Sequence, residues 1–286
     1  MEPAPVKAAG LVVHPGREAA LEAASRLEDW LGARGVQTRQ LDGNHADDDA
    51  RAAAFADGLD LVLSVGGDGT FLRAARVAAR ADVPVLGVKV GRLGFLTEVE
   101  PDEAPAVLER VLDGSARIEE RLAVVAEGAS FEPQWALNEL MVEKHARHRL
   151  IRLGVFVDDT YVTTFSADGV ITATPTGSTA YSFSAGGPIV SPSVPCIVVT
   201  PIAAHMVFDR SLVLSAGQRV RIEVVGDEPG LLSADGRESL ELPVGSKVDI
   251  GRAPVPARLV RRDDAPPFHA LVREKFDLPG DVGGAV

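Results

Sequence analysis

Asp68 stands at the centre of Gly66-Gly67-Asp68-Gly69-Thr70. Glycines on both sides let backbone N–H groups approach an anion closely, and a helix starting behind them favours negative charge. A carboxylate in such a cradle is a poor phosphate ligand, because like charges repel. It suits taking a proton from a hydroxyl, or holding a cation beside phosphates. The chemistry implied is phosphoryl transfer. Without that chemistry, Asp68 would read as a helix N-cap.

Two further segments carry polar groups at odds with their surroundings. Asn138-Glu139 interrupt the apolar run Trp135 to Val142. A Glu can accept hydrogen bonds from vicinal ribose hydroxyls, and an Asn can read an adenine edge or an amide. The plainer reading is an edge strand with one solvated pair. The other segment, Asp168 to Pro188, is uncharged after its first residue and rich in Thr, Ser and Gly. Small residues leave backbone amides open to a ligand, and Tyr181 offers a flat face for a base.

These residues need elements to hold them. The run Leu59 to Val65 before the glycines and Thr70 to Arg76 after them predict strand, tight loop and helix. Strands are also expected at Gly10–His14, Val36–Leu41 and Val83–Val88, and helices at Arg17–Ala33, Asp47–Ala56 and Pro101–Leu112. This alternation predicts a mainly parallel sheet covered by helices, with ligands at the carboxyl ends of strands. From about residue 118 the runs shorten and turn signals recur. Leu153–Val157 and Tyr161–Phe165 flank Asp158-Asp159-Thr160 as a hairpin, and two short runs flank Gly245. The expected organisation is an α/β domain over 1–117 and a β-sandwich over 118–252. A tail over 253–278 packs back on the first domain, and 279–286 is a disordered end.

The net charge of −12 disfavours nucleic acid and anionic membranes as partners. A single cysteine, Cys196, allows no intrachain disulfide and fits a reducing cytoplasm. Met1 to Pro5 has no basic or apolar leader character, and Val194–Phe208 is too short and too broken by prolines to span a bilayer. The six histidines show no metal-ligand spacing, so no tightly held metal is expected.

Together, Gly66–Thr70, Gly91-Arg92-Leu93-Gly94-Phe95-Leu96-Thr97-Glu98, Asn138-Glu139 and Asp168–Pro188 resemble the ATP-NAD kinase family. The likeness spans about residues 10 to 275. Its last segment is the most specific; the glycine-Asp loop is shared with lipid and sugar-phosphate kinases. The resemblance implies NAD⁺ bound between an α/β and a β-sandwich domain. It also implies Mg²⁺-dependent transfer of a γ-phosphate from ATP, or from polyphosphate, to the adenosine ribose 2′-hydroxyl. By matching position, Asp68 is the proton acceptor, Gly69 lies against the ribose and Arg73 contacts phosphate. Phe95, Asn138, Glu139, Arg149, Ser166 and Asp168 join the nucleotide cleft. Thr179, Ala180, Tyr181, Ser182, Phe183 and Ser184 cradle adenine and nicotinamide, partly from a neighbouring subunit of a homodimer or homotetramer.

This sequence departs from the family at Lys89, at Ser166-Ala167 and near Arg237. Lys89 follows a predicted strand, so it is expected beside the Asp68 loop. Either its stem packs while its ammonium reaches water, or it lends a positive charge to the donor phosphates. Two other readings of the chain are a diacylglycerol- or sphingoid-type lipid kinase and a non-catalytic NAD sensor. The first needs an apolar substrate face, and the second would not need Asp68.

Overall fold

The computed structural model describes residues 6–91, 94–146, 148–237 and 239–279. Arg92 and Leu93 of the Gly91–Glu98 motif, and the expected disordered end beyond Pro279, lie outside the described residues.

The first unit alternates as the sequence predicts. Its elements are β1 (Ala8–Val13), α1 (Glu18–Gly32), β2 (Gln37–Asp42), α2 (Asp49–Ala56), β3 (Leu61–Gly66), α3 (Asp68–Ala81), β4 (Val85–Lys89), α4 (Ala104–Leu112) and β5 (Arg117–Arg121). Helix α1 forms because Ala20, Ala23, Ala24, Leu27 and Leu31 share one buried face. The Asp48 side chain caps α2 by accepting from the Ala50 and Arg51 amides. Strand β3 is buried along its whole length, with Leu61, Leu63 and Val65 packed with α1 and Val62 with α3. A strand covered on both faces is the mark of a parallel sheet between helices.

The second unit runs β6 (Val124–Gly128), β7 (Phe131–Ala136), β8 (Glu139–Lys144), β9 (Ile151–Val157), β10 (Thr160–Ala167) and β11 (Gly169–Ala173). It continues through the short helix α5 (Tyr181–Ser184) to β12 (Cys196–Ile202), β13 (Leu212–Ser215), β14 (Val220–Val225), β15 (Gly230–Ala234), β16 (Leu240–Leu242) and β17 (Lys247–Arg252). These strands form two antiparallel sheets, β10-β9-β14-β17-β6-β7 and β13-β12-β11-β8-β15-β16. Alternating residues such as Val220, Ile222 and Val224 of one sheet share a buried core with Leu140, Val142 and Ile197 of the other.

The chain then returns through β18 (Ala257–Arg261) and α6 (Phe268–Lys275). The tail does more than pack against the first unit. Strand β18 completes its sheet, in the order β2-β1-β3-β4-β18-β5, parallel to β4 and antiparallel to β5. Leu259 faces one apolar layer and Val260 the other, so both faces of β18 are covered. Because β5 belongs to this sheet, the first unit extends to Arg121 rather than stopping at 117. The two runs around Gly245 do not pair with each other. Leu240–Leu242 joins β15 in one sheet, and Lys247–Arg252 joins β14 in the other.

Candidate functional site

Asp68 is the first residue of α3, immediately beyond the carboxyl end of the buried strand β3. Gly67 occupies the N-cap position, and the Asp68 carboxylate caps nothing. It reaches across to the loop after β4. There it accepts from the Phe95 amide at 2.8 Å and from the Leu96 and Thr97 amides at 3.3 Å each. The Thr97 hydroxyl donates to it at 3.2 Å. Gly94 makes this possible: a Cβ there would stand 1.8 Å from Asp68 Oδ1. The motif glycine therefore serves the carboxylate directly. Thr97, fully buried, is a partner that motif reading missed.

Glu139 opens β8 and Asn138 immediately precedes it. They are held by Asp235, whose carboxylate accepts from the Leu137, Asn138 and Glu139 amides at 2.8, 2.8 and 3.1 Å. The Asn138 carbonyl accepts from Thr174, and Gly177 packs on it so closely that a Cβ would lie 2.1 Å from that oxygen. The Asp168–Pro188 segment is thus welded to the Asn138-Glu139 corner through backbone contact. The sequence reading touched Asp235 only as a neighbour of Arg237; its role is visible only once β15 is paired with β8.

Burial, together with the Asp235 charge, pushes the Glu139 carboxyl up to about 8, against a pull from the Tyr181 amide. Its Oε2 is buried and has no hydrogen-bond partner. Burial also raises Asp235, against its three amide donors and Arg237. An underused buried oxygen at a cleft edge can accept a further hydrogen bond from a ligand hydroxyl, or donate one when protonated.

The remaining expected residues divide into groups. Thr176–Thr179 form a tight 3-10 turn, followed by Ala180 and α5. Tyr181 and Phe183 are exposed, as a base-stacking surface requires, whereas Ser182 is buried and bonded to Thr200. Ser184 is exposed. Phe183 lies 4.6 Å from Phe276, which lies 6.2 Å from Phe95, so the chain end bridges the two units with a row of rings. Arg73 donates to Asp47 at 2.8 Å and to the Gly69 carbonyl. With Arg76 and Arg237 it lines a cavity of about 210 Å³ beside Gly69 and Asp235. Burial and the Arg76 charge lower Arg237 to about 10.

Other residues sit apart from this cluster. Asp168 pairs with Lys144, and Ser166 lies on β10 with its carbonyl accepting from His205. Arg149 is exposed and pairs with Glu228, a surface ion pair rather than a contact with the Asp68 loop or the Asn138 corner. Lys89 is the register partner of Gly66, beside the glycine loop as expected. Its ammonium pairs with Glu100, and the side chain is 14% exposed. Among the described residues no group of three or more His, Cys, Asp or Glu side chains could hold a metal ion. No described helix is long and apolar enough to cross a membrane.

The model of the ATP-NAD kinase N-terminal domain matches residues 9–116, and that of the ATP-NAD kinase C-terminal domain matches residues 137–262. The chain belongs to the ATP-NAD kinase family. The NAD kinase of Mycobacterium tuberculosis (strain CDC 1551 / Oshkosh) is 42% identical, covering 94% of this chain and 95% of the relative. NAD kinase 2 of Streptomyces avermitilis is 41% identical, covering 94% of both chains. The fold matches yeast NADH kinase complexed with NADH at a TM-score of 0.82 and 26% identity, over 99% of this chain and 90% of that one. It matches an NAD kinase from Archaeoglobus fulgidus in complex with ATP at 0.75 and 25% identity, over 95% and 100%. The family likeness covers both units and the β18 return between them.

Proposed function

We propose that this protein is an NAD kinase, transferring the terminal phosphoryl group of ATP to the adenosine ribose 2′-hydroxyl of NAD⁺ to give NADP⁺ and ADP. The observation that carries this reading is the placement of Asp68. Its carboxylate sits at the start of α3 and is aimed by the Phe95–Thr97 amides instead of capping its own helix. A positioned carboxylate can take the 2′-hydroxyl proton as the oxygen attacks phosphorus. Phosphoryl transfer otherwise asks mainly for alignment and charge neutralisation.

The other roles follow from position. Asn138 and Glu139 meet the adenosine, with Glu139 Oε2 free to bond a ribose hydroxyl. Tyr181 and Phe183 offer exposed rings for the bases. Gly66, Gly67, Gly69 and Thr70 frame the anion end, and Arg73 adds charge beside it. Arg149, Ser166 and Asp168 have weaker claims, resting on the family pattern alone. Lys89, already balanced by Glu100, has less charge to lend to donor phosphates than its position implies. A divalent ion such as Mg²⁺ fits here as a companion of the triphosphate. When bound it supplies neutralisation of phosphate charge.

We read the enzyme as cytoplasmic and homo-oligomeric. The first rests on the lone unpaired Cys196, and the second on the family pattern and on exposed apolar side chains such as Tyr161 and Val213. The lipid-kinase reading is disfavoured by the ATP-NAD kinase models that match both units, and the sensor reading leaves the aimed carboxylate without a purpose.

The direct test incubates the pure protein with NAD⁺, ATP and Mg²⁺. A dehydrogenase that accepts only NADP⁺ then reports product. NADP⁺ above a no-enzyme control is expected; phosphorylation of diacylglycerol with no NADP⁺ would replace this reading by the lipid-kinase one.

A further inference from the structure

A second cavity, of about 340 Å³, lies between the two units on the other side of the Phe95-Leu96 backbone. One wall is the face of β5 and β18 that carries Arg117, Arg121 and Arg261. Glu119 lines it as well, the Thr176 hydroxyl accepts from Arg121 at 3.4 Å, the Ser191 and Ser193 hydroxyls bond each other at 3.0 Å, and Phe268 and Leu271 of α6 complete the lining.

The charges on this wall are unusual. Arg121 and Arg261 are almost fully buried, with side chains 8% and 7% exposed. Arg121 pairs with Glu119 at 2.6 Å, and Arg261 with Glu98 at 2.7 Å and Glu119 at 3.5 Å. Two carboxylates thus serve two buried guanidiniums. The exposed Arg117 adds a third positive charge, which also acts on Glu119. One positive charge remains in excess, inside a chain of net charge −12. The Arg261 Nε is moreover buried without any hydrogen-bond partner. If stability were the only purpose, apolar side chains of similar volume would serve as well as buried ion pairs. Converging guanidiniums beside hydroxyls match the planar, bidentate recognition of phosphate oxygens.

We propose that this cavity, which adjoins the nucleotide cleft through Phe95 and Thr179, is a binding site for a small multivalent phosphate anion and is coupled to Asp68. The coupling is structural. Phe95 and Leu96 line the cavity, and their amides hold the Asp68 carboxylate. An anion seated on Arg117, Arg121 and Arg261 ties β5 and β18 to the Thr176–Thr179 turn and fixes the loop that aims Asp68.

The probe is inorganic triphosphate, titrated calorimetrically into the intact protein without nucleotide, so that the outcome does not depend on whether NAD⁺ is the substrate. The variants are Arg117→Ala and Ser193→Asp, both on exposed positions that leave the fold alone, with Arg73→Ala to mark the Asp68 cleft. Triphosphate is expected to bind the wild type. The first two substitutions should weaken that binding about tenfold, the effect of one lost or opposed charge in a partly shielded site, and Arg73→Ala should not. Hydrogen exchange at the Leu96 and Thr97 amides should slow on adding triphosphate to the wild type, and not in Arg117→Ala at the same concentration. No binding, or binding lost only in Arg73→Ala, overturns the site. Binding at this cavity with unchanged exchange at Leu96 and Thr97 overturns the coupling.

Discussion

Gly94 and Asp68 are fitted to each other: a single methyl group at Gly94 would occupy the space of Asp68 Oδ1, at 1.8 Å. The loop after β4 and the start of α3 therefore form one unit, in which the glycine's missing side chain leaves room for the carboxylate.

Gly94→Ala should accordingly push the carboxylate off its amides while leaving both cores untouched. The expected result is a fall in kcat of about tenfold or more, since small displacements of a positioned group are costly, with little change in melting temperature. Steady-state kinetics beside thermal unfolding checks it. Wild-type kcat in a folded Gly94→Ala protein would mean that the Asp68 alignment is unimportant.

Glu139 should make stability depend on pH. Its folded-state value of about 8 lies above the ordinary carboxyl value of 4.5, so the folded state holds its proton more tightly than the unfolded one. The stability this proton provides is complete below pH 4.5 and is lost as pH rises toward 8. The loss is at most about 1.4 kcal/mol for each pH unit crossed. Glu139→Gln removes this dependence. Denaturant titrations at pH 6 and pH 9 should therefore show the wild type losing more than the variant on going to pH 9. Parallel losses would contradict the assignment. The same substitution weakens bonding to ribose hydroxyls, so calorimetry should show weaker NAD⁺ binding.

Asp235→Asn should damage the same corner from behind. One carboxylate serves three amides there, and an amide side chain cannot accept on its nitrogen. A stability loss of about 1–3 kcal/mol is expected, with a raised KM for NAD⁺ and a smaller change in kcat. Urea unfolding and two-substrate kinetics separate these effects.

Lys89→Asn should leave the KM for ATP within about twofold of wild type at low and high salt, because Glu100 already balances the ammonium. A several-fold, salt-sensitive rise would restore Lys89 to the donor site.

Much of this site could be read from local pattern. The strand, glycine loop and helix around Asp68 are contiguous, so periodicity alone placed them. Asn138 and Glu139 stood out because they break an apolar strand. What escaped was long-range. Strand β18 enters the first sheet from more than 160 residues after its neighbour β4, as the pairing Leu259 with Val85 shows, and no local signal reports that. Asp235 carried no local signal, because its three amide partners, Leu137, Asn138 and Glu139, are almost a hundred residues away in the chain. The ion pairs that claim Arg149 and Lys89 are likewise tertiary, so a charged residue near a motif was easily credited with a ligand it does not need.

The central claim is that Asp68 takes the 2′-hydroxyl proton, and Asp68→Asn tests it most directly, because the amide keeps the size and shape of the side chain while losing the base. Turnover of NAD⁺ and ATP to NADP⁺ should fall about 100- to 10,000-fold, the range for a positioned acid–base group, while calorimetric affinity for NAD⁺ changes little. Near wild-type turnover in a folded Asp68→Asn protein would contradict the account.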